Sequence, residues 1–162
     1  MRISFLFILL SVLIACNNDN RQIITFQKQI DSLKSALADT YKPGFGEFMS
    51  NIQVHHNKLW YAGIHQNWKL ADFEIHEIME SVDDIRKYQK ERVESKSIDM
   101  ITPVLDSVNA SIKAMNPETF KANYMTLTQT CNNCHQATDF GFNVVTIPTS
   151  PPFSNQSFIP AH

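Results

Sequence analysis

Apolar residues recur along most of this chain at alternating intervals of three and four, the period of a helix face. Ile23, Phe26, Ile30, Leu33 and Leu37 form the earliest such stripe. Its 3-4-3-4 spacing suits a coiled-coil seam or an amphipathic stalk helix, and it can pair with copies of itself or lie on the rest of the protein. Pro43-Gly44 end it. Four more helices are predicted beyond that point. The first runs from about Phe45 to Gly63, with Phe45, Phe48 or Met49, Ile52, Leu59 and Ala62 on its stripe and His55 and His56 between Ile52 and Leu59. The second opens at Asn67, a good N-cap residue, and carries Trp68, Ala71, Ile75, Ile78, Val82 and Ile85. Its acidic residues Glu74, Glu77, Glu80, Asp83 and Asp84 read as a solvated face. A polar stretch from Lys90 to Ser97 makes the next turn.

The third helix shows Ile101, Leu105, Val108, Ile112 and Met115 on one face, with Thr102-Pro103 as cap and first-turn proline. Asn116-Pro117 repeats that signature and opens the fourth, whose stripe is Phe120, Tyr124, Leu127, Cys131 and Cys134. After Gln136 the pattern stops. Phe140, Phe142 and the prolines between Pro148 and Pro152 predict an extended tail. The expected fold class is therefore all-α: an antiparallel four-helix bundle with an N-terminal stalk helix and an extended C-terminal tail.

The N-terminus changes the domain picture. Arg2 precedes an apolar run, Ile3 to Ile14, which falls short of the ~20 residues of a spanning helix and has the length and flanks of a secretory signal. The run ends in Leu13-Ile14-Ala15-Cys16, which resembles the bacterial lipobox. The resemblance implies cleavage before Cys16 and acylation of that cysteine, and more than one acyl chain gives a stable membrane anchor. Residues 1–15 are then a lipoprotein signal peptide, 16–43 the membrane anchor and stalk, and 44–162 the helical bundle with its tail. The expected location is the bacterial cell envelope, exported and lipid-anchored, on the periplasmic side or the cell surface.

Composition narrows the function. Of 162 residues, 43% are apolar and 19% charged, as in an ordinary globular domain. The net charge of −2 argues against nucleic acid, which calls for a basic face. In an oxidising compartment the remaining pair, Cys131 and Cys134, needs an explanation.

Cys131-Asn132-Asn133-Cys134-His135 offers one. Two thiols at this spacing meet the two vinyl groups of one porphyrin, and the adjoining imidazole reaches the iron, which is the arrangement of covalent haem c. Cys131 and Cys134 are expected as covalent anchors and His135 as proximal ligand. The competing readings are a Cys131–Cys134 disulfide, which in thioredoxin-like settings calls for a βαβ pattern this chain lacks, and half of a zinc site completed by His55 and His56. In an up-down-up-down bundle Met49 and Ile52 fall nearest His135, and His55 and His56 one turn, ~5.4 Å, further along. His56 is the candidate distal iron ligand, followed by Met49 and then His55; a five-coordinate iron with an apolar distal side competes with all three. Trp60 and Trp68 are expected to pin a helical corner, His65 and His76 to lie at turn and surface, and Phe140 and Phe142 to pack on a porphyrin edge.

The chain resembles the four-helix class II cytochromes c, the cytochrome c′ type, in its single C-x-x-C-H near the end of the last helix. It looks closer still to a group of small bacterial cytochrome-like proteins, through the stretch from Ile52 to Gly63, Asn67-Trp68-Lys69-Leu70-Ala71, Cys131 to Gln136, and Asn155-Gln156-Ser157-Phe158. The resemblance covers most of residues 44 to 158. It implies haem binding in a helical bundle and favours His56 over His55, because His56 begins that group's His-x-Lys-Leu pattern. It supplies no activity.

The expected function is single-electron transfer at the membrane surface by one covalent haem, with an unidentified redox partner protein. A haem protein that binds nitric oxide or carbon monoxide is the alternative, and a haem-free structural lipoprotein with a disulfide is the third reading. Catalysis is not expected: no paired carboxylates in a cleft and no nucleophile beside a base stand out.

Overall fold

A neutral Asn at a helix start satisfies amide groups that the helix itself leaves without partners, and two helices of this protein begin that way. The structure, a computed structural model, describes residues 20–37, 40 and 43–161. The expected signal segment 1–15 and Cys16 lie outside the described residues. The chain divides at Lys42 into two units. In the first, residues 20–37 form helix α1, on which Ile23, Phe26, Ile30, Leu33 and Leu37 are all exposed.

The second unit holds α2 (Phe45–Ile64), α3 (Trp68–Tyr88), α4 (Thr102–Lys113) and α5 (Pro117–Ala137), with two 3₁₀ turns, Glu94–Lys96 and Ile98–Ile101, ahead of α4. Among the described residues there is no strand, so the all-α expectation holds. Nor is any described helix long and apolar enough to cross a membrane. The Asn67 side chain accepts from Leu70 N at the start of α3, and Asn116 accepts from Glu118 N and Thr119 N at the start of α5. Three helix ends turn through left-handed residues that are not glycine: Gln66, Met115 and Asp139, with φ of 57°, 51° and 65°.

The core is made by the predicted stripes. Leu59, Ala62, Ala71, Ile75, Ile85, Val108, Phe120 and Tyr124 are completely buried. Each large apolar side chain so placed contributes ~1.5–3 kcal/mol relative to exposure. α2 packs most extensively on α3, and α4 on α5. Where α2 meets α5, Gly63 sits against Phe120 so closely that an added Cβ would fall 2.0 Å from the ring. The tail after α5 is extended and returns to the helices, where Phe158 is buried against Tyr61, with ring centroids 5.6 Å apart.

Three expectations need correction. Glu74 is not on a solvated face; it is fully buried between α2 and α3. The apolar face of α3 is wider than a strict 3-4 stripe, and position 74 falls inside it beside Ala71, Ile75 and Ile78. Met115 is 64% exposed, because α4 ends at Lys113 and the chain turns there. Thr102 is not the cap of α4. The incoming 3₁₀ turn already gives Ile101 helical angles (φ −81°, ψ −25°), so Thr102 is the first helical residue, and its hydroxyl accepts from Arg86 instead.

Candidate cofactor cavity

The last two turns of α5 and the first half of α2 converge on one cavity of about 500 Å³. That volume lies in the range of cofactor pockets, ~300–1,000 Å³. α5 contributes Cys131, Cys134 and His135, and Thr138 follows just past its end; α2 contributes Phe45, Met49, Ile52 and His56; Ile98 and Ile101 of the 3₁₀ turn close another side. The tail forms the remaining wall through Phe140 and residues 143–146. One cation, Arg92, lines the cavity. Its guanidinium pairs with Glu94 and lies over the Phe45 ring, 5.2 Å from the centroid.

Cys131 and Cys134 stand one turn apart on α5 and are both free thiols, half-buried at the cavity wall. Burial pushes the Cys131 thiol up to about 12, and burial also raises Cys134. Both are therefore neutral thiols. The Cys134 Sγ points at the Ser97 carbonyl, 3.7 Å away.

His135 follows on the same turn. Its Nδ1 lies 2.6 Å from the Asn143 carbonyl oxygen. A carbonyl can only accept, so Nδ1 carries the proton, and Nε2 is the ring nitrogen left to face a metal. A metal-ligating histidine has this arrangement, with its other ring nitrogen held by an outer partner. Asn132, within the same motif, holds the tail beside it: its Nδ2 donates to the Val145 carbonyl at 2.9 Å, and its Oδ1 accepts from Val145 N at 2.8 Å.

The two adjacent histidines of α2 go separate ways. His56 reaches the cavity wall, but the Tyr124 hydroxyl lies 2.9 Å from its Nδ1 and the Thr128 hydroxyl 3.0 Å from its Nε2. The ring also stacks on Tyr124, with centroids 4.5 Å apart. Burial lowers the His56 pKa to about 4, and it raises that of Tyr124, so both groups are neutral. Ligation of a metal by His56 would cost it one of these hydrogen bonds. His55 turns towards α3, where its Nδ1 donates to Glu74 Oε2 at 2.6 Å. The second Glu74 oxygen has no hydrogen-bond partner; Lys58 Nζ stands 3.8 Å from it. Met49 lines the cavity and is half-buried.

Thus Cys131, Cys134, His135, His56 and Met49 are brought to one cavity, and His55 is not among its lining residues. Among the described residues, no three His, Cys, Asp or Glu side chains form a metal cage. Trp60 and Trp68 pack on Tyr124 and Phe120, as a corner would require, and His65 and His76 are exposed. Phe140 lines the cavity, while Phe142 is 82% exposed and touches it only through Phe140. Sequence reasoning missed Asn132, Asn143, Tyr124 and Thr128 as parts of the site. Only Tyr124 carried a signal, as a hydroxyl on a buried stripe that must find a partner.

Comparison with protein-family models, with curated proteins and with solved structures finds no match to this chain.

Proposed function

We propose that this protein is a membrane-anchored monohaem c-type cytochrome that transfers single electrons. The observation that carries the reading is the convergence of Cys131, Cys134 and His135 on one cavity of about 500 Å³, with His135 Nδ1 already bonded to the Asn143 carbonyl. In this reading α2 to α5 form an antiparallel four-helix bundle, Cys16 is acylated in the cell envelope, and the redox partner is a protein of unassigned identity. In this reading the exposed seam of α1 pairs with a second copy.

Cys131 and Cys134 would hold haem c by thioether bonds and His135 Nε2 would face its iron, which supplies the one-electron couple when bound. The chain's own residues do the rest. Ile52, Ile98 and Ile101 keep the cavity apolar and exclude water. Arg92 and Glu94 place a paired cation and carboxylate at its wall. His56, neutral and buried, contributes polarity without charge.

A second reading is a haem protein that binds a small neutral gas such as nitric oxide or carbon monoxide. It is favoured by the hydrogen bonds at both His56 nitrogens, which compete with iron for that side chain.

The test is to express the protein with cytochrome c maturation machinery, weigh the mature chain, and record ferric, ferrous and carbon-monoxide-treated ferrous spectra. Covalent haem with a low-spin spectrum insensitive to carbon monoxide is expected for electron transfer. High-spin haem that responds to carbon monoxide would move the function to gas binding. A chain without a haem adduct, its cysteines joined, would overturn both.

A further inference from the structure

Position 132 lies between the two cysteines, where the attachment chemistry asks nothing of the side chain. Yet Asn132 makes a reciprocal pair of hydrogen bonds with the backbone of Val145, at 2.9 and 2.8 Å. A carboxamide offers one donor and one acceptor side by side, so it can imitate a strand neighbour and satisfy both backbone groups of one residue. The residue so held stands two positions from Asn143, whose carbonyl takes the His135 Nδ1 proton at 2.6 Å.

The loop in between is otherwise tied only by local turns. Phe140 N donates to the His135 carbonyl and Asn143 N to the Phe140 carbonyl, both at 2.8 Å. Asp139 turns the chain through φ 65°. These contacts reverse the chain, but they do not hold the outgoing arm against α5. The Asn132–Val145 pair does. Asn143 itself is exposed.

We propose that Asn132 is a positioning residue: it pins the tail so that the Asn143 carbonyl stays on His135, and through that bond it sets the electron-donating strength of the proximal imidazole. This rests on the haem reading above. A carbonyl that accepts from Nδ1–H makes the ring a stronger donor at Nε2. A stronger donor favours the ferric state and lowers the reduction potential. The side chain between the cysteines thus tunes the iron without touching it.

The experiment uses the mature haem protein and compares wild type with Asn132→Ala and Val145→Pro. The first removes both bonds and the second removes the Val145 N–H from the other side, so either can carry the test if its counterpart fails to mature. Met125→Ala, on the exposed face of the same helix, is the control. Two quantities are read: the potentiometric midpoint, and the solvent exchange rate of the His135 Nδ1 proton, followed by NMR in the ferrous protein. We expect that proton to exchange at least about tenfold faster in both variants. We expect the midpoint to rise, with about a tenfold change in the ferric-to-ferrous ratio corresponding to ~59 mV for one electron. Met125→Ala should match wild type in both. Unchanged proton exchange in the variants overturns the proposal while leaving the haem reading intact. So does a midpoint that falls, since that is the mark of water entering the cavity. Wild-type protein that matures without haem overturns both.

Discussion

His55 and His56 are neighbours in sequence, but consecutive side chains leave a helix about 100° apart. One therefore faces α3 and the other the α5 side of the cavity. Each is buried, and each meets the cost of burial differently. His55 gains a carboxylate, Glu74, 2.6 Å away. His56 gains two hydroxyls and no opposite charge, and burial holds its pKa down to about 4 from 6.5. Between those values the unfolded chain binds a proton at this site that the folded chain does not, so folding stability falls as pH drops through that window and levels off below it. The full effect is on the order of 3 kcal/mol. Urea denaturation of the protein at pH 7, 5.5 and 4 should show this slope, and His56→Gln, which keeps a donor and an acceptor but cannot titrate, should flatten it. Equal slopes in the two proteins would mean that His56 is protonated or solvated in the fold. The ionisable groups around the site are common to both proteins and cancel in the comparison.

At the scale of helices, the stripes that could be read from spacing became the core, because burial of large apolar side chains dominates folding energy. Asn67 and Asn116 were equally legible, since capping is local chemistry. What could not be read was whatever depends on a partner from another element. Glu74 has the composition of surface and becomes core only because α2 brings His55 and Lys58 to it. The ends at Gln66, Met115 and Asp139 lack the glycine that usually marks a left-handed turn, so spacing alone carried the α4 stripe two residues too far, to Met115. Gly63 is the counterexample: a glycine inside a helix that no turn requires. Its reason is the α2–α5 contact, where a Cβ would fall 2.0 Å from the Phe120 ring. Glycine costs helix stability of roughly 1 kcal/mol against alanine, so Gly63→Ala would stabilise an exposed helix. Here we expect the opposite sign, a loss of about 1–3 kcal/mol from overpacking. Gly63→Ala combined with Phe120→Leu should recover part of it. Thermal denaturation of the single and double variants decides this, and a Gly63→Ala protein as stable as wild type would show that the helices can part freely.

On the scale of the whole domain, the motif Cys131 to His135 was legible because its chemistry is local in sequence, whereas the cavity it faces is not. One wall comes from residues 143–146 of the tail, a segment with no periodic pattern to predict its course. Two contacts fix that course. Near α5 it is the Asn132–Val145 pair; at the far end it is Phe158, 5% exposed and packed on Tyr61. Between them Ile147 packs on the core, Asn57 Nδ2 donates to the Ser150 carbonyl at 3.5 Å, and Lys58 lies over the Phe153 ring at 5.5 Å. An extended segment with so few backbone partners resists opening only as strongly as its anchors do. Phe158→Ala should therefore act on the tail before it acts on the helices. Truncating a buried Phe costs ~3–5 kcal/mol when the whole fold must bear it. If the tail opens separately, its release caps the loss below that figure, and helical circular dichroism at room temperature stays unchanged. Limited proteolysis should then cut between about residues 149 and 157 in the variant under conditions that leave wild type whole. Cleavage within α2 or α5 instead, together with loss of helical signal, would mean that tail and helices unfold as one unit and that Phe158 belongs to the core itself.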